Sequence, residues 1–210
     1  MTAGTAPSAP PPNAIDRSDF RHILIGGTRL GITIGAAVII YLLVSRRVPN
    51  GIVQALLEMV VVIAAAVAAT FLPAQWTTAR GTEGIAAAAA VGLWGTIVFM
   101  AIDVIVLRPL KAYPWTWDAI GGGSTWWYLP IWWMLGTFAA WLGGLVTAVR
   151  ARRGGNTSVL SLAFPVVMGA IGGGLGLGLT QPWIGIPVAA GAAFTATLIV
   201  FAVIAALRKG

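Results

Sequence analysis

Apolar residues fall in six long unbroken runs, at about 23–45, 52–72, 84–107, 125–149, 159–179 and 186–207. Each is close to the ~20 residues that a helix needs to cross a hydrocarbon core of ~30 Å. The runs are continuously apolar and do not alternate, so they predict transmembrane helices and not the strands of a barrel. Short polar punctuation separates them. Arg46, Arg47 and the turn Val48-Pro49-Asn50-Gly51 close the first run, Pro73 the second, Arg108 and Pro109 the third. Arg150, Arg152 and Arg153 close the fourth, and Arg208 and Lys209 the sixth. Only residues 180–185 part the fifth from the sixth, which predicts a tight antiparallel hairpin. The expected fold is an all-α integral membrane bundle of about six helices over 15–210. A flexible Pro/Ala-rich tail at 1–14 precedes it, too poor in large apolar side chains to fold alone.

Composition narrows the class further. Hydrophobic residues make up 58% of the 210 and charged residues 9%, with mean hydropathy +0.88. A water-soluble surface needs far more charge than that. The formal charge of +7 is spread between apolar runs instead of gathered in one patch, so no nucleic-acid partner is expected. With no cysteine and one histidine, thiolate metal sites, disulfides and bis-histidine haem ligation within the chain are excluded, and no metal site is expected.

Counting Lys and Arg by side gives an orientation. One side would hold Arg17, Arg21, Arg80, Arg150, Arg152, Arg153, Arg208 and Lys209; the other would hold Arg46, Arg47, Arg108 and Lys111. The excess places both termini in the cytoplasm, in a bacterial-type inner or intracytoplasmic membrane.

Four features are candidates for function. Six of the ten tryptophans, Trp115, Trp117, Trp126, Trp127, Trp132 and Trp133, lie at or just before the fourth span. Indole rings favour the headgroup boundary, so an aromatic belt is expected; the same rings offer a stacking surface for a quinone, carotenoid, (bacterio)chlorophyll or lipid. The fifth run carries Gly169, Gly172, Gly173, Gly174, Gly176 and Gly178, overlapping pairs spaced by four that let helix backbones approach closely. They predict a packing helix at the centre of the bundle.

Glu58 follows Gly51 by seven residues, ~10 Å into its span, and Asp103 precedes Arg108 by five, ~8 Å from the end of its own. Carboxylates at such depth must be paired, protonated or wet. They either anchor loops against Arg46, Arg47, Arg108 or Lys111, or they share a proton or cation. His22, at the membrane boundary, is a weak candidate for a pigment or haem ligand.

No nucleophile–base constellation, phosphate loop or intrinsic cofactor motif is present, so no enzyme is expected. The expectation is a non-catalytic accessory subunit of a larger membrane assembly, with a respiratory or photosynthetic complex as host. It would pack against partner helices, lipids, quinones or pigments. The alternative is a small channel or secondary transporter using Glu58 and Asp103.

Overall fold

The computed structural model describes residues 19–109, 128–181 and 184–207. The tail at 1–14 and most of the tryptophan-rich loop lie outside the described residues. The elements are α1 (Phe20–Arg47), α2 (Ile52–Trp76), α3 (Thr82–Ile102), α4 (Tyr128–Arg152), α5 (Val159–Thr180) and α6 (Ile186–Leu207). Asp103–Leu107 continues α3 as one π-helical turn. All six helices are long and apolar enough to cross a membrane, and the fold is the all-α membrane bundle expected. Lipid offers no hydrogen-bond partner to the backbone, so an apolar run must satisfy its N–H and C=O groups internally, as a helix does.

Local chemistry sets the ends. α4 stops at Gly154, whose φ of +67° suits a residue without Cβ, and the N–H groups of Gly154 and Gly155 return to the carbonyls of Ala151 and Arg150. The Ser158 hydroxyl accepts from the Ser161 N–H and caps α5. One expected boundary moves: Pro73 does not end α2, which runs on to Trp76. Proline removes a single N–H, and the ladder resumes where the N–H and hydroxyl of Thr77 both donate to the Pro73 carbonyl, at 3.0 and 2.9 Å.

The glycine-rich helix is not central either. α2 occupies that place and packs on all five other helices, whereas α5 pairs chiefly with α6. α1 lies along α3, and α3 along α4. Phe71, Val166 and Leu198 are among the most deeply buried side chains, in a core shared by α2, α4, α5 and α6. Elsewhere glycines hold the helices together. A Cβ on Gly31 would fall 2.7 Å from the Gly95 carbonyl, one on Gly92 2.7 Å from the Gly136 carbonyl, and one on Gly143 1.9 Å from the Thr70 carbonyl. Only between 28% and 39% of each span's apolar stretch is buried inside the bundle. The outer surface is left to Ile32, Ile105, Leu160 and similar side chains, which suits contact with lipid.

Candidate functional site

Both intramembrane carboxylates are buried, each 7% exposed, and each is compensated differently. Gln54 sits one helical turn before Glu58, on the same face of α2, and its Nε2 donates to Glu58 Oε1 at 3.0 Å. The same Nε2 donates to the Ser45 carbonyl near the end of α1 at 3.2 Å. From α1, the Tyr41 hydroxyl donates to Glu58 Oε2 at 3.3 Å. Both oxygens of Glu58 are thus engaged by groups of the α1–α2 hairpin.

Asp103 opens the π turn. In a π turn the N–H of residue i+5 returns to the carbonyl of residue i, so Arg108 donates its N–H to the Asp103 carbonyl at 2.9 Å. The wider turn also folds the side chain of Arg108 back onto residue 103, where Nε meets Oδ2 at 3.1 Å. Asp103 Oδ1 is buried with no hydrogen-bond partner. Consecutive antiparallel helices could have joined the two carboxylates; among the described residues no hydrogen bond links Glu58 to Asp103.

Trp115, Trp117, Trp126 and Trp127 lie outside the described residues. Trp132 and Trp133 are successive positions of α4 and so face different ways. Trp133 lines an outward-facing groove of about 740 Å³ between α3 and α4, with Leu93, Met134, Phe138 and Trp141. The rings of Phe138 and Trp141 stack there at 6.0 Å, inclined by 29°. Such a wall can hold a flat or chain-like apolar molecule by dispersion and ring stacking.

Trp132 lines a partly open cavity of about 250 Å³ between α1, α2, α3, α4 and α6. Its other walls include Val38, Phe99 and Phe194, with three threonines, Thr70, Thr96 and Thr195. Thr96 and Thr195 donate their hydroxyls to the carbonyls of Gly92 and Gly191, whereas Thr70 Oγ1 is buried and unpartnered. Neither Glu58 nor Asp103 lines this cavity.

The glycines of α5 divide between two faces. Gly169, Gly173, Gly174 and Gly178 lie on α6, where an added Cβ would meet Thr197, Ala193, Ala190 and Ile186 at 2.5–2.7 Å. Gly172 and Gly176 look the other way, with nothing of this chain within 4 Å of an added Cβ. His22 lies in the first turn of α1, exposed, with Nδ1 bonded to the Asp19 carboxylate just before the helix. That contact ties the ring to its own helix terminus.

No family model, curated protein or solved structure matches this chain.

Among the described residues no three His, Cys, Asp or Glu side chains come together as a metal site would require. Reading the sequence alone passed over the central cavity and the helix contacts of α1, α3 and α4. The contacts had a signal: Gly27, Gly31 and Gly35 repeat every four residues along α1, and all three are buried against α3. The cavity had only the scattered threonines, a weak signal in an apolar run.

Proposed function

We propose that this protein is a non-catalytic integral membrane subunit that assembles with other membrane helices, with a respiratory or photosynthetic energy-converting complex as its host. Its chain termini would face the cytoplasm of a bacterial-type inner or intracytoplasmic membrane. One observation carries the proposal: α5 spends four glycines on α6 and leaves Gly172 and Gly176 open on its outer face. In lipid there is no hydrophobic force between helices, and close backbone approach at small residues is what pairs them. A glycine costs a helix about 1 kcal/mol relative to alanine, so two unused ones are best explained by a neighbour. The aromatic groove beside Trp133 supports the same reading, since it offers a partner's quinone, carotenoid or chlorophyll a place to stack.

A small channel or transporter is the second reading, and the cavity of about 250 Å³ favours it. The carboxylates weigh against it, because each has partners on its own hairpin or turn and neither faces that cavity. Purification in mild detergent tests the choice. The subunit reading expects stoichiometric membrane partners or coloured cofactors to co-migrate, and Gly172→Leu with Gly176→Leu to release them. A lone oligomer that moves a solute in reconstituted vesicles would overturn it.

A further inference from the structure

A further cleft, of about 300 Å³, opens between α4, α5 and α6 at the end of the bundle where α4 stops. Its walls are apolar: Val146 and Val149 from α4, Leu162 from α5, Phe201 and Ile204 from α6. Its rim carries two cations, Arg150 in the last turn of α4 and Arg153 just beyond it, where the Arg153 N–H donates to the Arg150 carbonyl at 3.2 Å. The chain reversal puts them there. Gly154 turns the backbone at positive φ, and the Gly155 N–H returns to the Arg150 carbonyl at 3.0 Å. Gly155 then lies against the stem of Arg150, where an added Cβ would sit 3.0 Å from Cγ.

We propose that this cleft binds one phospholipid of net negative charge, with its phosphate on Arg150 and Arg153 and an acyl chain along Phe201 and Ile204. The order of chemistry along the cleft requires an amphipathic ligand. The guanidinium rim lies at the ends of the spans, at headgroup level, and the apolar wall continues from it into the hydrocarbon. Guanidinium groups match phosphate oxygens with paired N–H donors, which a point charge does not. Basic pockets between helices at a membrane surface select anionic headgroups on these grounds. A zwitterionic lipid carries an ammonium group that offsets its phosphate and weakens the contact. The site stands apart from the assembly proposed above, since neither Gly172 nor Gly176 lines it.

The shared chemistry is a phosphate anion, which a lipid or the aqueous phase can supply, so the test has three probes. The full chain, purified in a neutral detergent, is titrated with phosphatidylglycerol, with phosphatidylcholine and with inorganic phosphate. Retained lipid is read by native mass spectrometry and stability by thermal unfolding. The expected result is selective retention of phosphatidylglycerol with a raised melting temperature, and little response to the other two. In Arg150→Gln with Arg153→Gln, affinity for phosphatidylglycerol should fall roughly tenfold to thirtyfold. Arg46→Gln with Arg47→Gln, at the opposite end of the spans, should leave it unchanged. An unfolded double variant would be recognised from its melting curve, and Ile204→Trp, at a partly exposed position of the cleft, then tests the same site by filling its apolar wall and expelling the lipid. Equal retention of both lipids, a response to inorganic phosphate as large as to phosphatidylglycerol, or retention unchanged in the cleft variants would each overturn the proposal.

Discussion

At the residue scale, what distinguishes this membrane domain is how it holds two carboxylates in a low-dielectric interior. Glu58 is served by two neutral donors, Gln54 and Tyr41, so its neighbourhood tolerates an uncharged acceptor. Glu58→Gln should therefore lower thermal stability in detergent by no more than about 1 kcal/mol, because an amide still accepts from one donor and meets the other. Glu58→Leu takes the carboxylate from Tyr41 and leaves Gln54 only the Ser45 carbonyl, and should cost about 1–3 kcal/mol. Asp103 differs, since its partner is a cation. Asp103→Asn keeps the Arg108 hydrogen bond but loses its charge assistance, a loss of about 1–3 kcal/mol at most. If these groups are structural, none of the variants changes proton flux in reconstituted vesicles. Flux lost in Glu58→Gln and Asp103→Asn, with stability intact, would instead put both residues on a transport path. The positions of both carboxylates were legible, because a charge inside an apolar run cannot be overlooked. Their partners were legible only in part. Arg108 lies close by in sequence, but its grip on Asp103 depends on a π turn that no residue pattern announces. Tyr41 reaches Glu58 from another helix, and only the packing of α1 on α2 reveals it.

At the scale of the element, the helices are decided by long apolar runs and their packing by where a side chain is missing. The runs are loud in a sequence, so the six helices could be read directly. The contacts were harder. Clustered glycines in α5 drew attention away from the sparser Gly27, Gly31 and Gly35 of α1, and from Gly92, Gly136 and Gly143 of α3 and α4. Density is a poor guide, because within this bundle one glycine facing a carbonyl, Gly143, matters more than the two of α5 that face outward, Gly172 and Gly176. Two substitutions separate these cases. Gly143→Ala forces a methyl group to within 1.9 Å of the Thr70 carbonyl, so α2 and α4 must part. It should destabilise the isolated protein by about 1–3 kcal/mol, read as a lower melting temperature in detergent. Gly172→Ala meets open space. It should leave the isolated protein as stable or raise its stability by up to about 1 kcal/mol, since alanine is the better helix former. Equal damage from both would mean that the outer face of α5 is already covered within this chain, and the assembly proposal would lose its footing.

At the scale of the whole molecule, the remaining question is which way the bundle faces, because the anionic-lipid cleft and the aromatic groove lie toward opposite surfaces. Six alternating spans bring the start of α1 and the end of α6 to one side. Arg80, Arg150, Arg152 and Arg153 lie on that side in the loops and helix ends, with Arg21 in the first turn of α1. Arg46, Arg47 and Arg108 lie on the other. Basic residues close to spans are retained on the cytoplasmic side during insertion, so the orientation proposed above would put the termini and the Arg150–Arg153 cleft there. The cytoplasmic leaflet is also where anionic lipid attracts basic side chains, so orientation and lipid site would agree. Because the chain has no cysteine, single cysteines report sidedness without background. Asn50 lies in the exposed turn between α1 and α2, and Thr82 is exposed where α3 begins. In intact cells Asn50→Cys should react with a membrane-impermeant maleimide, while Thr82→Cys should react only after the membrane is opened. The reverse pattern would turn the molecule over. The cleft would then face the outer leaflet, and the basic pair Arg46–Arg47 would prove the stronger topological signal.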